Sequence, residues 1–228
     1  MSKQFILHQD ALSANCYKIK LTAALLDIPL EKRNYSILEG DTQTPEFQAN
    51  VSFWRRIPVL QVGESSFLPE SNASCFYLAE YSQSLSKSQS SASLLPRYNL
   101  IPEDPFRKAT MLRWMFFEQN NHEICVGTLR FWLHILGEEK LSADRVAQIP
   151  GKKLAVRECF DHMQDHLANR TTSGWFVGES ITLADICLFA YTHLVDNAGF
   201  DLNEWPAIKA WCERLKSVDG FIPFDLND

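Results

Sequence analysis

Hydrophobic positions in the first third of the chain follow two patterns, one typical of strands and one typical of helices. Between residues 14 and 27 the apolar side chains repeat at helical spacing, and residues 71–81 repeat that pattern. Gly63-Glu64 separates two apolar runs as the turn of a β-hairpin would. Short apolar runs of strand type occupy residues 4–8, 30–37, 58–62 and 66–68. Their order, βαβ followed by ββα, predicts a small mixed sheet flanked by helices.

The hydrophobic pattern changes after a serine-rich stretch at residues 82–93. This stretch has the composition of a flexible linker or a loose helix end. Beyond about residue 103 every apolar pattern is helical. The predicted helical segments are 104–136, 142–169, 182–196 and 204–217. We therefore expect three parts: an α/β domain at 1–84, a linker at 85–100 and an all-helical domain at 101–228.

Composition narrows the possible partners. A chain of 228 residues with 46% apolar and 22% charged residues is ordinary for a soluble globular protein. The formal net charge of −6 argues against nucleic acid and against anionic membrane surfaces, which call for a basic face. No apolar run approaches the roughly 20 residues that span a bilayer, and polar residues interrupt the N-terminus too early for a signal peptide.

The six cysteines are scattered, without a CxxC pair, and most lie in apolar helical contexts. A free cysteine in such a context behaves as a small hydrophobic residue. This usage predicts a reduced, cytoplasmic protein.

Ser13 falls at the start of the first predicted helix. A helix start gathers free backbone N–H groups and the positive end of the helix dipole, so it favours an anion. A thiolate held there would have a lowered pKa and would be a better nucleophile at neutral pH. Ser13 taken alone also fits a purely structural N-cap, and Asn15 is either a second donor in that turn or a solvated residue.

Cys16 is the rival nucleophile, because a cysteine in the first turn of a helix often has a lowered pKa. In that role it would form a mixed disulfide with a small thiol. Its alternative role is that of a core cysteine facing the sheet.

Two further patches suit a small peptide-like thiol. Pro58 is either an ordinary trans proline at a strand start or a cis proline that turns the backbone of Ile57 towards an extended peptide. Ser71 begins a helix, where it can cap the backbone or hold a ligand carboxylate. Glu70, just before it, can pair with a ligand ammonium group.

Together these patches resemble the glutathione-binding domain of the cytosolic glutathione S-transferase superfamily, and the resemblance covers nearly the whole chain. LSANCYKIKL is similar to the LSGNCYKVRL type of active-site helix in bacterial-type members. LPESNASCFYLAEY is similar to the superfamily's ES-x-A-I-x-x-YL helix. The run from Gly174 to Ser217 resembles its G-x-x-S/T-x-A-D helix and the y-P-x-i-x-x-W ending.

The resemblance implies a thioredoxin-like N-terminal domain, an all-α C-terminal domain, and glutathione as cosubstrate without a metal. Ser13 falls where serine-type members place the hydroxyl that stabilises the thiolate. Asn15 falls where nu-type members use an asparagine, and Cys16 falls near the cysteine of beta-type members.

The resemblance also implies how the tripeptide would be held. Pro58 would be cis and the backbone of Ile57 would pair with the cysteinyl unit, while Glu70 and Ser71 would hold the γ-glutamyl group. The sequence departs from the superfamily pattern next to these positions, since Arg55 replaces the usual glycine and Phe53 the usual proline. Gln43 and Arg56 are the candidates for the glycyl carboxylate, where some members carry His-Lys.

The helical domain would wall the pocket for the second substrate. Arg113, Phe117 and His122 lie on one predicted helix and offer the apolar and polar groups that a pocket needs. Aromatic residues at this spacing also suit a core or an interface.

Two other motifs of the helical half are interpreted as structural. The run from Thr182 to Asp185 fits a capping box with Asp in place of Glu. Cys159, His162 and His166 have a spacing that could hold a soft metal, but no fourth ligand is evident, so a packed or solvated face is expected.

The sequence is thus identified as that of a glutathione transferase, which activates the glutathione thiolate for attack on small electrophilic or peroxidic substrates. One alternative is a glutathione-dependent disulfide reductase or thiol transferase that uses Cys16 or exchange with the glutathione thiol. Another is a non-catalytic glutathione-fold binding protein, which the unusual Arg55-Arg56 pair keeps open. A homodimer and a role in detoxification are implied by the resemblance alone.

Overall fold

The computed structural model describes residues 3–88, 97–171 and 173–228. The chain divides into two compact units, one comprising Met1–Asn99 with Asp219–Asp228 and the other Leu100–Val218. Half of the predicted linker at 85–100, residues 89–96, lies outside the described residues.

The first unit is built on a four-stranded sheet with the order β2-β1-β3-β4. β1 and β2 are parallel, whereas the pairs β1–β3 and β3–β4 are antiparallel. The strands are β1 (Phe5–Gln9), β2 (Glu31–Asn34), β3 (Val59–Val62) and β4 (Ser66–Pro69). The predicted thioredoxin-like arrangement of the first unit and the helical second unit are both confirmed.

Side chains alternate between the two faces of this sheet. On one face Phe5 packs edge-on against Tyr77 and Tyr81. On the other face His8 lies next to Tyr35 and Phe67. The helices of the unit are α1 (Ala14–Leu25), α2 (Pro45–Asn50) and α3 (Ser71–Ser88). α3 is longer than the predicted 71–81 and continues into the residues predicted as linker.

Residues 219–228 were predicted to belong to the helical domain, and the structure corrects this, because they pack with the first unit. The hydroxyl of Tyr17 donates to the carbonyl of Ile222 at 2.7 Å, and its ring meets that of Phe224 edge-on. Lys20, nearly buried in α1, forms an ion pair of 3.0 Å with Asp228. The tail therefore supplies partners to polar groups that α1 buries.

The second unit is helical, as predicted, but its first helical run is not uniform. The predicted helix 104–136 contains two π-helical segments, Glu118–His122 and Phe131–Leu136, on either side of α5. The α-helices of the unit are α4 (Pro105–Phe117), α5 (Glu123–Arg130), α6 (Ala143–Asn169), α7 (Leu183–Thr192) and α8 (Pro206–Lys216).

Two predicted helix starts of the second unit are confirmed. Thr182 and Asp185 form a capping box at the start of α7, and Pro206 is the first residue of α8. Across the part of the chain that the structure describes, no helix has both the length and the hydropathy needed to cross a bilayer.

Candidate glutathione site

The strand register brings the three sequence patches to one edge of the sheet. Val59 lies opposite His8 near the end of β1 and opposite Pro69 at the end of β4. α1 follows β1, and α3 follows β4. The starts of both helices and the Ile57–Pro58 bond therefore share this edge.

Ser13 is the N-cap of α1, where its backbone is extended and its Oγ accepts from the backbone N–H of Cys16 at 3.3 Å. Because the oxygen acts as an acceptor, the hydroxyl keeps its own proton for donation. The first turn of α1 carries no acidic residue. The positive end of the helix dipole is thus not neutralised from within the helix, and the half-buried hydroxyl can stabilise an anion there.

Cys16 does not share this exposure. Its side chain is fully buried, and burial raises the pKa of its thiol to about 11, an effect that the hydrogen bond with Ser13 only partly offsets. The thiol is therefore protonated at neutral pH and shielded from solvent. The expectation of Cys16 as a nucleophile is corrected to its alternative role, a core cysteine, because α1 buries most of its residues.

A hydrogen bond between side chains joins the starts of α1 and α3. The hydroxyl of Ser71 donates to Oδ1 of Asn15 at 3.2 Å, and Ser71 is only 5% exposed. Asn15 thus holds the hydroxyl of Ser71 in a defined orientation. Sequence reasoning placed both residues in the site, but it gave no signal that they contact each other.

Two residues beside this edge have left-handed backbone conformations that glycine adopts more easily. Glu70 has φ of +72° and Arg55 has φ of +56°. Such strain is typical of binding and catalytic sites. Arg55 stands where the resembling sequences carry glycine, and its guanidinium donates to Oε1 of Gln48 at 2.6 Å. Glu70 is exposed, so its carboxylate is available to a ligand.

The Ile57–Pro58 peptide bond is cis, as the resemblance implied. Pro58 is buried and Ile57 is half-buried at the start of β3. Arg56 is exposed immediately before them. Gln43 is exposed in the short helical turn before α2, and its amide donates to Oγ1 of Thr42 at 3.1 Å.

Asp10 is a residue of this edge that sequence reasoning missed. Its carboxylate accepts from the backbone N–H groups of Leu12 and Ile37, each at 2.8 Å, and its carbonyl accepts from the N–H of Ser13 at 3.0 Å. Asp10 therefore fixes the loop that presents Ser13. The available signal was an aspartate between a strand and a helix cap, the usual place for an Asx turn.

Two of the three residues predicted for the second substrate lie together in the helical unit. The guanidinium of Arg113 lies 4.4 Å from the centre of the Trp114 ring and 3.3 Å from Nε2 of His162. Phe117 packs edge-on against Trp114 at 5.3 Å. Burial, and secondarily the charge of Arg113, lowers the pKa of His162. Arg113 is exposed and Phe117 is half-buried, so both are accessible.

His122, the third of these residues, is not accessible, and its prediction is corrected. It is fully buried, and its ring stacks on Phe160. Its Nε2 lies 3.0 Å from Oγ1 of Thr192, whose own proton is donated to the carbonyl of Leu188. Because the Thr192 proton is already used, His122 is the donor in this hydrogen bond. The helix turns residue 122 into the core, which is why its side chain is not available to a substrate.

Within the ranges that the structure describes, no group of three or more His, Cys, Asp or Glu side chains is arranged to hold a metal ion. His166 instead contacts the carbonyl of Phe176 at 3.0 Å and stacks on its ring, while Cys159 is buried. This helix face is packed, which is one of the two forms expected for it.

Comparison with protein families gives two matches along the chain. Residues 5–80 match the family model described as glutathione S-transferase, N-terminal domain. Residues 147–214 match the one described as glutathione S-transferase, C-terminal domain.

Similar proteins agree with these matches. A glutathione S-transferase structure from Pseudomonas fluorescens Pf-5 is 34% identical, covers 96% of this chain and 98% of its own, and has a TM-score of 0.82. A possible glutathione S-transferase from Rhodopseudomonas palustris is 32% identical, with coverage of 97% and 90% and a TM-score of 0.81. The glutathione S-transferase-like protein LUC7 from a Fusarium species is 27% identical over 90% of this chain and 87% of its own.

Proposed function

Because this chain belongs to the cytosolic glutathione S-transferase superfamily, we propose that it is a glutathione transferase in which Ser13 stabilises the glutathione thiolate. The observation that carries the proposal is the open start of α1. There a hydroxyl with a proton to donate stands at a helix dipole that no acidic side chain of the first turn neutralises. Each unit by which this environment lowers the thiol pKa corresponds to about 1.4 kcal/mol.

The remaining edge residues would hold the tripeptide. Glu70 would pair with the γ-glutamyl ammonium, and the start of α3 with Ser71 would hold its carboxylate. The half-buried backbone of Ile57 would pair with the cysteinyl unit in the manner of an added strand. Exposed Gln43 and Arg56 are the proposed contacts for the glycyl carboxylate. Asn15 acts here as a positioning residue, through its hydrogen bond with Ser71.

The second substrate is proposed to be a small electrophile or peroxide. Arg113 and Phe117, which are accessible and share an aromatic cluster, remain the proposed contacts for it. His122 is no longer part of the proposal. Holding the thiolate near an electrophile converts a bimolecular reaction into an effectively intramolecular one, which adds to the effect of activation.

The proposal is tested by conjugation of glutathione to a chlorodinitrobenzene. Ser13→Ala should lower kcat/KM about a hundredfold, the usual effect of removing one donor to a developing or held anion. Ser13→Thr should restore much of the activity, because the hydroxyl returns. The pKa of the bound thiol, followed by its ultraviolet thiolate absorbance, should rise in Ser13→Ala.

Cys16→Ala is the matched control variant, because Cys16 lies three residues after Ser13, in the first turn of the same helix. It should retain conjugation, since the thiol is buried and protonated. If Cys16→Ala instead abolished reduction of hydroxyethyl disulfide while Ser13→Ala kept it, the chain would be a thiol transferase. Retention on glutathione resin without any turnover would make it a binding protein.

A homodimer in the cytoplasm is also proposed, on the basis of superfamily membership. The neighbouring rings of Phe53 and Trp54 are 70% and 74% exposed, and paired exposed aromatic side chains of this kind favour a protein contact. Sedimentation of the wild type and of Trp54→Ala would test this assignment.

A further inference from the structure

The sheet face opposite α3 carries a cavity, which we call the α2-face cavity. It has a volume of about 1220 Å³ and is lined by residues of all four strands and of α2. Drug-sized ligands occupy pockets of roughly 300–1,000 Å³, so the space suffices for a small molecule. None of the proposed glutathione contacts on the sheet edge is among its lining residues.

The floor of the α2-face cavity holds a directed chain of hydrogen bonds. The amide nitrogen of Gln61 donates to the carbonyls of Gly63 and Glu64, so its Oε1 accepts from Nε2 of His8 at 3.0 Å. His8 is 1% exposed, and burial lowers its pKa, so its ring is neutral at pH 7. With the proton on Nε2, Nδ1 of His8 is the acceptor for the hydroxyl of Tyr35 at 2.9 Å.

This chain fixes what Tyr35 can offer to a ligand. Its proton is committed to His8, so its oxygen is left with lone pairs and acts as an acceptor. A ligand group that meets this oxygen must therefore be a donor, either O–H or N–H. The direction of the Tyr35 O–H is set by Gln61, which acts through His8, and it does not depend on the ligand.

Two aromatic side chains lie beside this chain of hydrogen bonds. Phe47 meets the Tyr35 ring edge-on at 4.9 Å and is itself buried, while Phe67 lies 5.8 Å from the His8 ring and is 37% exposed. Ring edges and faces of this kind favour a planar aromatic ligand.

The charges of the lining exclude one ligand class. The lining residues include three carboxylates and one guanidinium group: Asp41, Glu46, Glu64 and Arg33. The excess of carboxylates disfavours an anionic ligand.

We propose that the α2-face cavity binds a neutral planar aromatic molecule carrying a phenolic O–H or ring N–H, which donates to Oη of Tyr35 and packs against the exposed ring of Phe67. The site is separate from the proposed glutathione site, and the proposal does not depend on catalysis. It predicts that both ligands bind at the same time.

β-Naphthol is the probe, and its methyl ether, which lacks the donor, is the matched ligand. Titration is followed by naphthol fluorescence with the protein saturated with S-hexylglutathione, so that the proposed glutathione site is filled. Wild type should bind β-naphthol about tenfold more tightly than the ether, the usual worth of one hydrogen bond. Tyr35→Phe should remove that difference and leave the ether affinity unchanged, and Phe67→Ala should weaken both ligands.

Tyr77→Phe is the matched control, since its hydroxyl lies on the other face of the sheet and accepts from Lys3. It should bind both probes as the wild type does. Melting temperatures within a degree or two of wild type would show that each variant is folded; should Phe67→Ala fail to fold, Tyr35→Phe alone carries the test. Equal affinity for the two probes in wild type, an unchanged difference in Tyr35→Phe, or loss of β-naphthol binding on S-hexylglutathione addition would each overturn the proposal.

Discussion

The starts of α1 and α7 share a hydroxyl residue at the N-cap, but they differ in the residue three positions later. Each has a hydroxyl residue at the N-cap, Ser13 in α1 and Thr182 in α7. Three residues later, α1 has Cys16, whereas α7 has Asp185. This single position decides whether the free N–H groups of the helix start are satisfied from within the chain.

In α7 the helix start is filled. The carboxylate of Asp185 is fully buried and accepts four hydrogen bonds, two of them from the backbone N–H and hydroxyl of Thr182 at 2.9 Å each. The other two come from the backbone N–H of Phe176 and the indole of Trp211, both at 3.0 Å. α7 therefore offers nothing to a ligand, and the same groups hold the helical unit together.

In α1 the helix start is open. The thiol of Cys16 is turned into the core, the Ser13 oxygen accepts from the backbone N–H of Cys16 at 3.3 Å, and the first turn carries no acidic side chain. A helix start is a candidate site for an anion where the chain does not supply its own carboxylate there. By this criterion α1 is the candidate and α7 is a structural element.

The largest expected effect is on α7. Asp185→Asn keeps the shape of the side chain but replaces one acceptor oxygen with a donor, so two of the four hydrogen bonds are lost inside the core. We expect the free energy of unfolding to fall by about 3 kcal/mol, because buried donors are left unsatisfied. Urea unfolding at pH 7 measures this, and glutathione binding by the protein that remains folded should be unchanged.

Asp165→Asn is the control for this variant. Asp165 lies near the surface of α6 and pairs with Arg170 at 2.8 Å. Exposed ion pairs contribute little to stability, so no clear change is expected. A similar loss in both variants would show that the bonds at the start of α7 have no special role.

Acidification should lower the stability of the protein through the C-terminal end of α7. His193 is its C-cap, and burial lowers the pKa of His193 from 6.5 to about 4. A lowered histidine pKa contributes stability that is complete above pH 6.5 and is lost as the pH falls towards 4. The loss should approach about 3 kcal/mol at the acid end of this range, the free energy that corresponds to the difference between a pKa of 6.5 in the unfolded chain and about 4 in the folded one.

The measurement compares urea unfolding of wild type and His193→Gln between pH 7.5 and pH 4.5. Glutamine keeps an N–H for the carbonyl of Phe189, which His193 contacts at 2.7 Å, but it does not titrate. The wild type should lose more stability on acidification than the variant does. Parallel curves for the two proteins would contradict the role of His193.

Local sequence patterns were sufficient for the four strands, for α1 and α3 and for both caps, but not for α2 or for the π-helical segments. The short apolar runs of β1 and β3, the helical spacing after Ser13 and the Thr182–Asp185 motif are each encoded within a few residues. The thioredoxin-like arrangement follows from their order. For the site, the positions of Ser13, Glu70 and Ser71 at helix starts were equally local signals.

The missing features depend on contacts between distant residues. The bond between Ser71 and Asn15 spans 56 positions, and the bond between Tyr17 and Ile222 spans 205. The burial of His122 depends on the phase of a helix that changes to π-helical form at that point. No pattern in one sequence reports such packing, which is why His122 was assigned to the substrate pocket.

The smallest expected effect tests the open helix start directly. Asn15→Asp keeps the shape of the side chain and the oxygen that accepts from Ser71, but it places a carboxylate in the first turn of α1. The helix should gain roughly 0.5 kcal/mol, since a negative charge suits this end, while a thiolate is repelled. Glutathione should bind with a higher thiol pKa and should lose about tenfold more affinity than S-methylglutathione, which has no thiol and therefore reports only the effect of the new charge beside Ser71. If calorimetry finds both ligands weakened equally, the new charge disturbs the γ-glutamyl contacts instead, and the start of α1 is not where the sulfur lies.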